Sequence, residues 1–136
     1  MPISRRKSRE LALQVLYQID FTNQPAKIAL PLFLTHFCPN KNLDDFITRI
    51  VRGIEEYRKE IDWLLREYSE HWTLERMSRV DRNILRMAIY EILWCPDIPL
   101  KVSINEAIEL GKKFSTEKST PFINGILDKI SHSEKR

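Results

Sequence analysis

Four cationic side chains stand close together near the start of the chain: Arg5, Arg6, Lys7 and Arg9. Arginine and lysine at this density suit phosphate, through charge-assisted hydrogen bonds and by releasing the counterions of a polyanion. Residues 1–10 hold four of the 22 Lys and Arg residues and one of the 19 acids, which leaves 18 of each sign in the rest of the chain. The net charge of +3 is therefore local. It marks one edge for a polyanion rather than a basic domain. From the residues alone, a solubilising or disordered tail is the competing reading.

Other chemistry finds little support. His36, Cys38, His71 and Cys95 follow no zinc-ligand spacing, and no pattern sets a histidine beside a thiol as a nucleophilic pair. Two distant cysteines read as reduced thiols of an intracellular protein. Three scattered glycines make no phosphate loop. The acid pair Glu55-Glu56 reads as a solvated helix face. No catalytic group, metal or cofactor is expected. No apolar run approaches the roughly 20 residues of a membrane span. The N-terminus lacks a signal-peptide core, so the expected location is cytoplasmic.

The elements that position these groups are helices. An apolar fraction of 43%, a charged fraction of 30% and few glycines fit one helical globular domain, residues 1–136, with a basic N-terminal arm, 1–9. Ala12, Val15, Leu16 and Ile19 form the stripe of a first helix from Ser4 or Arg5 to Phe21, so the basic residues occupy an arm and its first turn. A second helix over 26–36 should break or start late at Pro31. Leu43 through Tyr68 recur at three- and four-residue steps, as one long helix or two nearly collinear ones with a bend near 56–60. Ser78-Arg79-Val80-Asp81 resembles a capping box that opens a core helix ending near Trp94. Ser103-Ile104-Asn105-Glu106 reads as a full capping box for a helix to Phe114, with Glu106 as its acid. Thr120-Pro121 reads as N-cap and first residue of the last helix. Gly125, inside that helix, is expected to allow close helix packing.

Two stretches together resemble the NusB family of bacterial transcription antitermination factors. One is Arg5-Arg6-Lys7-Ser8-Arg9-Glu10-Leu11-Ala12-Leu13-Gln14-Val15-Leu16-Tyr17. The other runs from Val80-Asp81-Arg82-Asn83-Ile84-Leu85-Arg86 through Ser103-Ile104-Asn105-Glu106-Ala107 to Phe122-Ile123-Asn124-Gly125-Ile126-Leu127. The likeness spans nearly the full length and is strongest over residues 80–136. It implies an all-α fold of about seven helices in two packed three-helix bundles. It also implies binding to boxA RNA of ribosomal RNA leaders, together with the NusE ribosomal protein of the small subunit, in an RNA polymerase antitermination complex. No catalysis and no membrane association are implied.

Carried over residue by residue, the resemblance assigns RNA phosphates to Arg5, Arg6, Lys7 and Arg9. It assigns RNA contacts to Tyr17 and Phe122, and a partner-facing role to Asp81. On their own, Phe122 reads as core and Tyr17 as helix surface or core. Lys118 stands where some relatives carry an acid, a change that either strengthens RNA binding by removing a repulsive charge or makes the local contact a different one. Thr120-Pro121 departs from the His-Lys of some relatives. One alternative is a helical protein-interaction module without specific RNA binding. Another is a NusB-like domain of an RNA cytosine methyltransferase, which the lack of a downstream cofactor motif disfavours.

Overall fold

The computed structural model describes residues 4–37, 45–69 and 73–134, and every regular element among them is helical. The helices are α1 (Arg5–Thr22), α2 (Ala26–Phe37), α3 (Phe46–Glu56), α4 (Arg58–Tyr68), α5 (Arg79–Trp94), α6 (Leu100–Phe114) and α7 (Ser119–Ser133), with a 3-10 turn at Leu74–Arg76. They fall into two compact units that divide between Glu56 and Tyr57, three helices in the first and four in the second. Leu43 and Cys38 lie outside the described residues.

In the first unit, Ser4 caps α1 by accepting from the Lys7 N–H at 3.1 Å. Residues 5–9 are thus the first turn of a helix rather than an arm. Ala12, Val15 and Leu16 are buried as the periodicity requires. Asn23 ends the helix in the left-handed region at φ 61°, a conformation asparagine tolerates, and its N–H donates to the Ile19 carbonyl at 2.7 Å. Helix α2 runs through Pro31 without the expected break. Both Pro31 and Lys27, whose carbonyl loses its donor there, are exposed, so water can satisfy that oxygen. Glu55 is no idle surface acid. Its carboxylate accepts from the Ala26 N–H at 2.7 Å and so caps α2 from α3, where the helix dipole favours a negative charge.

In the second unit, Tyr57 (φ −104°, ψ 19°) leaves helical geometry and opens α4, the interruption expected near 56–60. Its ring stacks on Trp94 with centroids 4.5 Å apart, which ties the start of α4 to the end of α5. Helix α5 is central and packs on α4, α6 and α7. Its residues Ile84, Leu85, Ala88, Ile89 and Ile92 are buried, each contributing roughly 1.5–3 kcal/mol of transfer free energy where aliphatic and large.

Two helix starts differ from the sequence reading. Helix α6 begins at Leu100 after Pro99, a turn earlier than the Ser103 box predicts. Ser103 is buried mid-helix and donates to the Glu91 carboxylate at 2.9 Å, so it joins α6 to α5 instead of capping. Glu106 accordingly lies inside α6. Helix α7 begins at Ser119 rather than after Thr120. Pro121 still sits in the first turn, where a missing N–H costs nothing. The glycine that permits close packing is Gly111, where a Cβ would meet Ile123 Cδ1 at 3.1 Å. At Gly125 a Cβ would meet nothing within 4 Å, so the expected packing role belongs to the other residue.

Candidate nucleic-acid interface

The cationic first turn of α1 separates into two kinds of residue. Arg5, Arg6 and Lys7 are exposed, whereas Arg9 is only 3% exposed. The guanidinium groups of Arg5 and Arg9 lie 4.5 and 5.1 Å from the centroid of the Phe46 ring, which orients both by cation–π attraction. Burial takes Arg9 out of reach of a surface phosphate, and its position fits packing α1 onto α3. Lys7 lies 3.9 Å from the Glu10 carboxylate and stays mostly in water. Cations at a helix N-terminus oppose the macrodipole by some tenths of a kcal/mol, a cost an anionic ligand would offset. Tyr17, on α1, is 41% exposed and can offer a ring face.

A second site is built where α5 begins beside the α6–α7 connection. Ser78 caps α5, accepting from the Asp81 N–H at 3.0 Å. The capping box is only half formed, because the Asp81 carboxylate turns elsewhere. One oxygen accepts from the Ser115 hydroxyl and the other from Ser119 at 2.7 Å. With both protons directed at Asp81, the Ser115 and Ser119 hydroxyl oxygens stand 2.8 Å apart, and Thr116 Oγ1 lies 3.2 Å from Ser119. At 9% exposure Asp81 is a clamp that fixes the start of α7 against α5. The same carboxylate, expected from the family pattern to face a protein partner, thus also holds the fold together.

Above this clamp opens a concavity of about 330 Å³, lined by Arg76, Met77, Ser78, Lys118, Ser119 and Phe122. Two cations, a half-buried aromatic ring and the Asp81 carboxylate share its wall. Such a set can pair phosphates with Arg76 and Lys118 and stack a base on Phe122, the combination single-stranded RNA requires.

A family model for the NusB family matches residues 6–132. The chain belongs to the NusB family. It is 51% identical over 126 residues to the transcription antitermination protein NusB of Desulfatibacillum aliphaticivorans, covering 93% of this chain and 88% of that one. Against the Geobacter sulfurreducens NusB it is 50% identical over 129 residues, covering 94% of each. A solved T. maritima NusB superposes with a TM-score of 0.89 at 38% identity, over 100% of this chain and 96% of that one. A chain in the crystal structure of antitermination factors NusB and NusE with dsRNA has a TM-score of 0.84 at 24% identity, over 95% of this chain and 96% of that one, a likeness of fold.

Of the residues expected from the NusB pattern, Lys118, Phe122 and Asp81 are gathered at one groove and all three line it. Arg5, Arg6, Lys7 and Tyr17 belong to the first unit, on α1. Sequence reasoning missed Arg76, Met77 and Ser78 in the groove and the two serines of the clamp. Lys118 and Phe122 share a helix stripe at i, i+4, which is visible in sequence. Arg76 comes from a turn some 40 residues earlier and carries no local signal. Of the cysteine–histidine set, Cys38 and His71 lie outside the described residues, and Cys95 is buried. Among the described residues, no three His, Cys, Asp or Glu side chains gather to hold a metal, and no helix is long and apolar enough to cross a membrane.

Proposed function

We propose that this NusB-family chain is a transcription antitermination factor without catalytic activity, acting in the cytoplasm. It binds single-stranded boxA-type RNA together with a NusE-type ribosomal protein. The observation that carries this reading is the groove that Lys118, Arg76 and Phe122 line together with Asp81. The exposed Arg5, Arg6 and Lys7 supply a phosphate track on α1. NusB stands with NusE and dsRNA in the crystal structure that shares this fold, which supports an RNA and a NusE-type protein as ligands here. Two ligands on one protein raise each other's apparent affinity, so RNA alone should bind weakly and the ternary complex tightly.

The test is a fluorescence-anisotropy titration of a boxA-like RNA and a scrambled control, with and without the NusE-type protein, at two salt concentrations. Preference for boxA that grows with the partner supports the reading. Equal binding to both RNAs in every condition would instead favour a protein-interaction module with a generic basic edge.

The same titration checks the α1 cations. Arg5→Ala and Arg6→Ala should each weaken binding to both RNAs and lower the slope of log K against log salt by roughly 0.7, one single-strand phosphate contact apiece. Arg9→Ala should leave that slope alone and lower stability, because Arg9, unlike Arg5, is buried. A reduced slope for Arg9→Ala with unchanged stability would reverse the assignment.

A further inference from the structure

Gly125 has no reason within the chain to be glycine. It sits in the interior of α7, exposed, with no backbone angle in the left-handed region and no atom within 4 Å of where a Cβ would stand. Glycine is a poor helix residue because it fixes the most backbone freedom and packs nothing. Gly111 shows the contrast: its missing Cβ makes room for Ile123. At position 125 the room is left open to the outside.

The residues in line with that opening are Lys118, Phe122 and Lys129. At about 100° per residue these three and Gly125 fall within an arc of roughly 60°, on a stripe about 16 Å long. Lys118 and Phe122 line the groove described above, and Lys129 is exposed on the same helix two turns beyond Phe122. Asp128, the acid beside the stripe, has its carboxylate 3.5 Å from His132 Nδ1. A cation at each end, an aromatic ring and a bare backbone between them match a nucleic-acid strand better than a protein surface, which would call for exposed apolar anchors.

We propose that Gly125 and Lys129 extend the RNA track along α7: the strand leaves the Phe122 groove, runs against the helix backbone at Gly125 and places a phosphate at Lys129. This rests on the RNA-binding reading above. The absent Cβ lets the strand approach a helix that any side chain would hold it away from.

The test uses Gly125→Ala, Gly125→Leu and Lys129→Ala in the full chain, with a boxA-like RNA oligonucleotide and the NusE-type protein. Gly125→Ala should raise Tm by roughly 2–5 °C, since alanine is the better helix former and its Cβ meets no neighbour. It should nevertheless weaken RNA binding about three- to tenfold, and Gly125→Leu further. Lys129→Ala should lower the salt slope by roughly 0.7. Gain of stability with unchanged RNA affinity would overturn the proposal, as would loss of stability, which would give Gly125 a role in the fold. Variants that bind RNA normally but lose the NusE-type protein would give the close approach to that partner and also overturn it. Failure of the wild-type chain to bind RNA at all would remove the underlying reading, an outcome distinct from failure of the variants.

Discussion

Asp62→Ala is expected to destabilise the second unit by about 3–5 kcal/mol, the usual cost of orphaning one member of a buried ion pair. Arg86, 2% exposed in the middle of α5, donates to both oxygens of Asp62 on α4, from Nε at 2.8 Å and Nη2 at 3.1 Å. Its third nitrogen reaches Asn83 Oδ1 at 3.1 Å, and Arg58 adds a bond from the surface to the same Asp62 at 3.0 Å. Alanine at 62 leaves a guanidinium buried without its counter-charge. The double substitution Asp62→Leu with Arg86→Met should recover most of the loss, because an apolar pair of similar volume needs no desolvation of charge. Arg58→Ala should cost at most about 1 kcal/mol, as Arg58 is partly in water. Trp63 and Trp94 belong to the second unit and the first holds no tryptophan in its sequence, so tryptophan fluorescence during urea unfolding reports on the second unit. A cost under about 1 kcal/mol for Asp62→Ala would show that the pair holds little of the α4–α5 packing.

That network illustrates what a sequence can disclose and what it cannot. Helix existence followed from local periodicity, and the stripes of α1 and α5 were legible because burial of every third or fourth residue is written into neighbouring positions. Asp62 and Arg86 stand 24 residues apart, on different helices, and each alone reads as an ordinary surface charge. Nothing local tells a charge that will be paired and buried from one that will be solvated. Glu55 misled for the same reason: an acid on a polar helix face became the cap of another helix.

Helix starts failed in a more specific way. Ser103 with Glu106 satisfies the capping pattern, yet the rigid Pro99 already ends the preceding loop and permits helix from Leu100 onward. Once inside the helix, the Ser103 hydroxyl takes Glu91 as its partner. Ser119 was passed over for Thr120 because its own partner, Asp81, lies 38 residues away. At the candidate site, the ligand-facing types were legible, since Lys118, Phe122 and the α1 cations are chemically apt for RNA. The clamp and Arg76 were not, because tertiary packing alone brings them to the groove.

Asp81→Ala sets two physical effects against each other. Asp81 is an acid in the lining of the groove that Arg76 and Lys118 also line, so by Coulomb's law alone its removal should favour an approaching phosphate. The same removal strips Ser115 and Ser119 of their shared acceptor and frees the start of α7, where Lys118 and Phe122 are mounted. Hydrogen bonds to a charged group are worth about 1.5–3 kcal/mol each, so the expected loss of stability is about 3 kcal/mol. The geometric effect should win for binding as well. Asp81 is nearly buried, and its field at the groove is already spent on two hydroxyl dipoles, while displacement of Phe122 by a fraction of a ring width forfeits stacking worth about 1–3 kcal/mol. RNA affinity should therefore fall several-fold. Asp81→Asn separates the terms: an amide can accept from one serine and donate to the other, so the clamp survives at a cost of about 1 kcal/mol while the charge is gone. Its RNA affinity should match or slightly exceed that of the unmodified chain. Were Asp81 instead a direct contact to the NusE-type partner, Asp81→Asn would weaken partner binding at undiminished stability, and urea unfolding measured beside partner titration distinguishes the two roles.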